Sequence, residues 1–227
     1  MKPLIVIPAR NESSTIGDIV KEIKKTILCD VLVVDDASGD KTVQNSRDAG
    51  AIVLKLCTQL GAWGAIRTGF RYALNHQYDY VVTMDADGQH ISESILDLLL
   101  AIESSNADVI IGSAIDRGSN YKKLAWYVFR KLASLKINDL TSGLRVYNRC
   151  AVKLLLSNNT TSFMYQDLGV LLTLKRYGLK ISEIQVKMTL RKEGHSQIFN
   201  SWIAIIRYLV FSFILCLTYT KKEMKSK

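Results

Sequence analysis

Residues 80–90 read Tyr80-Val81-Val82-Thr83-Met84-Asp85-Ala86-Asp87-Gly88-Gln89-His90 and carry the plainest chemistry in the chain. An apolar, β-branched run ends on two carboxylates separated by one residue. That composition reads as a short buried strand, and strand ends are where α/β proteins place their chemistry. Side chains two apart on an extended backbone point the same way, so Asp85 and Asp87 share a face and Gln89 continues it with a neutral oxygen. Hard oxygen ligands on one side suit Mg²⁺ or Mn²⁺, which would hold the phosphates of a nucleotide. The competing account of a lone Asp-x-Asp is an acidic turn, because Asp and Gly dominate turns.

Such carboxylates need a scaffold. Short apolar runs at 4–7, 31–34, 51–56, 80–84 and 108–112 read as strands. Between them lie helical patterns. Asn11-Glu12-Ser13-Ser14 precedes Ile16, Ile19, Val20 and Ile23 at helical spacing, which predicts a capped helix. Further helices are expected at 42–49, at 61–75 behind a glycine-rich turn, and at 91–104. Strands alternating with helices predict an α/β fold of Rossmann-like kind, with a mostly parallel twisted sheet and helices on both faces. Ligands then sit at the carboxyl edge of the sheet. Pro8, Asp36 and Asp85 all fall at strand ends, so three segments should converge on one cleft. The second half is less regular: a basic amphipathic helix at 119–135, a polar turn from Asp139 to Arg145, a strand at Val146-Tyr147, a helix at 167–177 stopped by Gly178, an alternating strand at 181–190, and a polar loop from Arg191 to Gln197.

The 227 residues suit one large domain, and 48% hydrophobic content supports a sizeable core. With Pro at 2 and no Ser/Pro/Gly-rich stretch, no linker interrupts the chain, and no repeat is visible. The formal charge of +9 points to an anionic partner: a phosphorylated substrate or anionic lipid. Nucleic acid fits worst, since zinc-finger spacing and RNA-binding aromatic signatures are missing. Cys29, Cys57, Cys150 and Cys216 form no Cys-x-x-Cys pair and sit among apolar neighbours, so buried reduced thiols are expected. Met1-Lys2-Pro3 leads straight into a strand-like run, which does not read as a signal peptide.

Six segments in order resemble the family 2 glycosyltransferases of GT-A fold, and within them the polyprenyl-phosphate glycosyltransferases such as dolichol-phosphate mannose synthases. They are Ile7 to Glu12, Val33 to Asp40, Leu60-Gly61 through Gly69, Asp85 to His90, Asp139 to Arg145, and Arg191 to Gln197. The resemblance spans about residues 3–197 and implies a catalytic domain over 1–197, with 198–227 a membrane-associating apolar helix and basic tail. It implies that Pro8, Arg10 and Glu12 form the first nucleotide-contacting loop, and that Val34 and Asp36 contact base and ribose. Asp85, Ala86, Asp87 and Gln89 match the metal and diphosphate site, with Mg²⁺ or Mn²⁺ as cofactor. Arg191 and Ser196 match a late basic loop closing over phosphates. The implied reaction moves a sugar, with inversion, from a GDP-mannose or UDP-hexose type donor to a polyprenyl phosphate at the cytoplasmic face of a membrane. If the acceptor is instead a glycan hydroxyl, Asp167 is the candidate base.

Several of these residues have plainer readings. The plainer reading of Pro8 is strand punctuation, and of Glu12 the reach-back residue of a helix cap. Asp35 reads as structural and Asp36 as ligand-facing. Gly61, Gly64 and Gly69 suit packing or turning. His90 is either a metal or carboxylate partner or a helix cap, and His76 a surface residue. Arg145 either pairs with Asp139 or, with the Ser142-Gly143 turn, lines an acceptor pocket. The chain also departs from its relatives. Ala114 stands where Arg is common, with Arg117 three residues on as a substitute cation. Gln197 stands where Lys is frequent, and Gly169 where many relatives carry Glu. These changes leave the donor side intact and bear on the acceptor. They are also the support for an alternative, a degenerate sugar-nucleotide-binding partner subunit; the intact Asp85-Ala86-Asp87-Gly88-Gln89 argues against it. A dinucleotide-dependent dehydrogenase is disfavoured, since no Gly-x-Gly-x-x-Gly follows the first strand.

Trp202, Ile205, Ile206, Leu209, Phe213 and Leu217 form an apolar stripe at helical steps. Beyond Arg207 the uninterrupted segment 208–220 is shorter than the ~20 residues a membrane span needs. Lys221, Lys222 and Lys225 follow, so an in-plane interfacial helix is expected, with a core or dimer helix as the alternative. The sequence sets no oligomeric state.

Overall fold

The computed structural model describes residues 1–89, 91–113, 130–131, 135–157 and 167–188, together with 210, 211, 213, 214 and 216. Its elements are β1 (Pro3–Ala9), α1 (Ile16–Thr26), β2 (Asp30–Asp35), α2 (Thr42–Asp48), β3 (Ile52–Lys55), α3 (Gly61–Asn75), β4 (Tyr80–Thr83), α4 (Ser92–Ser104), β5 (Val109–Ser113), β6 (Arg145–Asn148), α5 (Arg149–Leu155), α6 (Asp167–Arg176) and β7 (Ile181–Gln185). The strands form one sheet in the order β3-β2-β1-β4-β6-β5-β7. Only β6 runs against its neighbours, β4 and β5; the remaining pairs are parallel.

Helices cover both faces, which is why the central strands read as unbroken hydrophobic runs: Leu4 to Ile7 are all fully buried. On one face Ile5, Ile7, Val31 and Val33 pack with Ile16, Val20 and Ile23 of α1 and Ile95 and Leu98 of α4. On the other, Leu4, Val6 and Val34 pack with α3, α5 and α6 through Phe70, Val152 and Leu171. The α3 backbone lies close on β1 because Gly69 has no side chain: a Cβ there would sit 2.4 Å from a methyl carbon of Val6. Phe70 meets Tyr147 of β6 edge-on at 5.2 Å between ring centroids, tying the antiparallel strand to the same core. At the amino edge of the sheet, the Tyr78 hydroxyl donates to Asp30 Oδ2 at 2.6 Å. Burial and that carboxylate push the phenol upward.

Several expectations need correction. α1 is preceded by Thr15, with no side-chain capping bond; Thr15 Oγ1 is turned to Ala86 O and Asn11 Oδ1 to Gly39 N. α5 has no counterpart in the sequence reading. It begins directly after β6, with Asn148 Oδ1 accepting from Ala151 N at 2.8 Å, so no turn residues announce it. Cys57 and Cys150 are exposed rather than buried, the first in the β3–α3 loop and the second on the first turn of α5. Cys29 is half-buried, and burial, aided by Asp30, pushes its thiol up to about 11. β7 occupies Ile181–Gln185 of the expected 181–190.

Most of the two amphipathic segments, 119–135 and 198–227, lies outside the described residues. The described positions from 210 to 216 are helical. Cys216 is buried as part of the core cluster that holds Phe70 and Leu171, while Val210, Phe213 and Ile214 are 53%, 46% and 51% exposed. Among the described residues no helix is long and apolar enough to cross a membrane.

Candidate active site

Parallel β1 and β2 deliver two loops side by side at the carboxyl edge, and these loops lock together. Asp36 N donates to Ala9 O at 2.8 Å. Asn11 N donates to Ser38 Oγ at 2.9 Å, and Gly39 N returns a bond to Asn11 Oδ1 at 3.0 Å. Glu12 N donates to Thr42 Oγ1 at 2.9 Å, and Ser13 N to Asp40 Oδ2 at 3.1 Å. Burial disfavours the Asp40 charge, but hydrogen bonds from Thr42 and Ser13 outweigh it and hold the carboxyl below its ordinary value. The interlock requires unusual backbone: Asn11 and Ala37 have φ of 54° and 58°. Asn tolerates that region; Ala does so at a cost.

Asp35 is fully buried, with Oδ2 accepting from Ser38 N at 3.2 Å, the structural role expected of it. Asp36 is also buried. Its two oxygens accept from Leu60 N at 2.6 Å and Gly61 N at 2.9 Å, at the start of α3. A carboxylate suits a helix N-terminus, and Gly61 accommodates the chain's entry with φ of 78°. Asp36 therefore stitches the end of β2 to α3, whatever else it touches. Pro8, in the last residues of β1, and Arg10 and Glu12, in the loop that follows, are part-buried. Val34 is wholly buried against α3, so only its backbone can face a ligand.

The Asp85–Gln89 segment follows β4, next to β1. Thr15 Oγ1 donates to Ala86 O at 2.8 Å, joining the first loop to the carboxylate pair. Gln89 N donates to Asp87 Oδ1 at 3.0 Å, a local turn opened by Gly88 at φ 71°. Asp85, Asp87 and Gln89 are each part-exposed. On the far side stands the turn that leads into β6. Glu183 of β7 holds its start, accepting from Asn138 N and Asp139 N, both at 2.8 Å. Ser142 Oγ donates to Gly112 O at 2.5 Å. Arg145, 1% exposed, donates from Nε to Ser142 O at 2.8 Å and from Nη2 to Leu140 O at 3.0 Å. Thr83 Oγ1 donates to Gly143 O at 2.9 Å. The Ser142 hydroxyl is thus engaged inside the fold, and Gly143 faces Asp85.

The tertiary structure therefore places the end of β1 at Pro8 with the loop of Arg10 and Glu12, the Val34–Asp36 strand end, and Asp85-Ala86-Asp87 with Gln89 at the same edge of the sheet. Arg117, Arg191, Ser196 and His90 lie outside the described residues. Of Asp167 only the backbone, at the start of α6, is described. His76 is exposed, as expected. Thr15, Thr83 and Glu183 were not singled out by the sequence, and Gly143 only as part of an acceptor-pocket turn. The partners of the first three are 71, 60 and 44 or 45 positions away for the bonds above, beyond the reach of any local pattern.

The donor set fits a hard divalent cation. Among the described residues no group of three or more His, Cys, Asp and Glu that could hold a metal ion is assembled; the segment offers the two carboxylates of Asp85 and Asp87 and the Gln89 amide. Mg²⁺ is commonly held by one or two carboxylates, with substrate phosphates and water filling its shell.

A family model described as "Glycosyl transferase family 2" matches residues 4–155. The chain belongs to glycosyl transferase family 2. It is 31% identical over 216 residues to the undecaprenyl-phosphate mannosyltransferase of Micrococcus luteus, covering 87% of each chain. It is 30% identical over 165 residues to the polyprenol monophosphomannose synthase of Mycolicibacterium smegmatis, covering 65% of this chain and 62% of that one. Among solved structures it resembles glucosyl-3-phosphoglycerate synthase of Mycobacterium tuberculosis in complex with Mn²⁺, UDP and phosphoglyceric acid. That match has a TM-score of 0.72 at 18% identity, over 95% of this chain and 78% of that chain. This is a likeness of fold. The protein is a glycosyltransferase by its family.

Proposed function

We propose that this family 2 enzyme transfers a hexose from a nucleotide sugar to a polyprenyl phosphate at a membrane surface, with inversion and with Mg²⁺ or Mn²⁺. The observation that carries the donor half is the Thr15–Ala86 hydrogen bond, which fixes the first loop against the Asp85–Gln89 segment so that both face one ligand. The relatives named for polyprenyl-phosphate mannosyl transfer support the acceptor half.

Cleaving the donor leaves a nucleoside diphosphate, whose growing negative charge needs stabilisation. A divalent cation held by Asp85, Asp87 and Gln89 would act there as a Lewis acid. The chain's own residues orient that charge. Gln89 N–H fixes one Asp87 oxygen and Asp36 holds the start of α3 beside the nucleotide loop; Arg191 and Arg117, outside the described residues, would add donors to phosphate oxygens in this reading. A lipid phosphate is anionic at neutral pH, so it attacks without a general base and positioning supplies most of the rate. In-line attack inverts the anomeric carbon.

Residues 1–197 form the catalytic domain in this reading, and 198–227 place it on the cytoplasmic face as an interfacial helix. Cys216 turned into the core while Val210, Phe213 and Ile214 face outward supports that arrangement. The test is transfer of radiolabel from a panel of UDP- and GDP-sugars into membrane lipid, with Mg²⁺, Mn²⁺ or EDTA. Metal-dependent label in an organic-extractable, mild-acid-labile product is expected. Donor hydrolysis without lipid labelling would instead favour a hydroxyl acceptor with Asp167 as base, and no donor binding at all would favour the partner-subunit alternative.

A further inference from the structure

Gly143 and Asp85 are in contact that leaves no room for a side chain. An ideal Cβ on Gly143 would lie 2.3 Å from Asp85 Oδ2 and 2.6 Å from both Cγ and Oδ1, and these are its three nearest neighbours. The backbone does not itself call for glycine, since Gly143 is not among the residues with positive φ. Space, rather than conformation, is what the missing side chain provides, and the Asp85 carboxylate fills it.

The turn cannot easily retreat. Ser142 and Arg145, both buried, tie it to Gly112 O, Ser142 O and Leu140 O. Thr83, 1% exposed, holds Gly143 O. Thr83 precedes Asp85 by two residues at the same strand end, so one side of that strand both anchors the turn and rests its carboxylate on it. A side chain at position 143 would therefore press on the Asp85 carboxylate, whose other staggered positions lie one bond rotation away.

We infer that Gly143 is a positioning residue for the donor site: its bare Cα, braced by Thr83 and Arg145, sets the direction in which Asp85 presents its carboxylate. The inference rests on the reading of Asp85 as a metal and diphosphate ligand. Gly143 touches neither metal nor donor and acts only through Asp85.

The experiment is Mn²⁺ titration, read by electron paramagnetic resonance of the free ion with UDP or GDP present, on full-length wild type, Gly143→Ala, Asp85→Ala and the double variant, with thermal melting of each. Gly143→Ala should weaken Mn²⁺ binding by about 10–100-fold, as loss of ligand orientation does elsewhere. Its melting temperature should change little, because the backbone accepts alanine and the group that must shift is a part-exposed side chain. In the Asp85→Ala background the same change should cost nothing more, since no carboxylate remains to displace. Thr83→Val, which loosens the turn without adding atoms beside Asp85, should weaken Mn²⁺ in the wild-type background alone and keeps the test open should Gly143→Ala not fold. Wild-type Mn²⁺ affinity in Gly143→Ala, or an equal loss with and without Asp85, would overturn the inference. Absence of Mn²⁺ binding by wild type would overturn the metal reading and this inference with it.

Discussion

At the β1–β2 end of the carboxyl edge, the loops that follow two adjacent strands hold each other through Asn11, Ser38, Asp40 and Thr42, with partners 27 to 30 positions apart. At the β4–β6 end, a turn from far along the chain is brought in by an antiparallel strand and braced by Arg145, Ser142 and Glu183. The first arrangement shapes a cradle from polar side chains bonded to backbone. The second places bare backbone against a carboxylate. Short polar residues with turn propensity suffice for the first, while the second needs a buried cation and a strand reversed in the sheet. The donor cradle therefore depends on many small contributions, and the Asp85 side on a few large ones.

The sharpest break is Asp87→Ala. If the β4 end holds the diphosphate, metal-dependent transfer should fall by at least about 10²–10³-fold, as when one preorganised charge-stabilising group is lost, with the melting temperature nearly unchanged. Undiminished transfer would remove the chemical distinction between the two ends.

Arg145→Met comes next. It leaves Ser142 O and Leu140 O without a donor in the core and should cost roughly 2–4 kcal/mol in urea unfolding. A cost below that of Asp36→Asn would show that the turn is held by its other bonds. Asp36→Asn itself replaces a charged acceptor of two backbone N–H groups and should cost roughly 1.5–3 kcal/mol while loosening the start of α3, seen as faster amide exchange at Leu60 and Gly61.

Ala37→Gly tests the strain of the interlocked loops. It relieves about 1–2 kcal/mol of left-handed strain but returns about 0.4–1 kcal/mol of freedom to the unfolded chain, so a small net stabilisation is expected. The smallest effect belongs to pH. The folded Asp40 carboxyl lies below its ordinary value, so its contribution is present above the unfolded pKa of about 3.8 and is lost as pH falls through the folded one. The stability difference between wild type and Asp40→Asn should therefore shrink on acidification below about pH 4. A difference that grows there would contradict the hydrogen-bond assignment.

Much of this was legible in the residues. The first five strands were placed by short apolar runs and α1 by Ile16, Ile19, Val20 and Ile23, because burial on both sheet faces and on one helix stripe leaves a periodic mark. The carboxylate pair was found from its place at a strand end. The capping of α1 was misread because the side chains of Asn11 and Thr15 bond to Gly39 and Ala86 in other loops and not to the helix. The helix α5 went unseen because Asn148 ends a strand and begins a helix at one position. Gly64 and Gly69 behave as expected: a Cβ at either would enter a neighbouring side chain.

The sequence by itself determined the alternating strands and helices, the Asp85–Gln89 segment at a strand end, and the family. Each is written in local composition, spacing or order. Only the tertiary structure decided that β6 runs antiparallel between β4 and β5, that Thr15 reaches Ala86, and that Gly143 meets Asp85. Those contacts join residues 34 or more positions apart, as 145 is from 111. They follow from strand order and register, which burial energy selects over the whole sheet and no short window of sequence records.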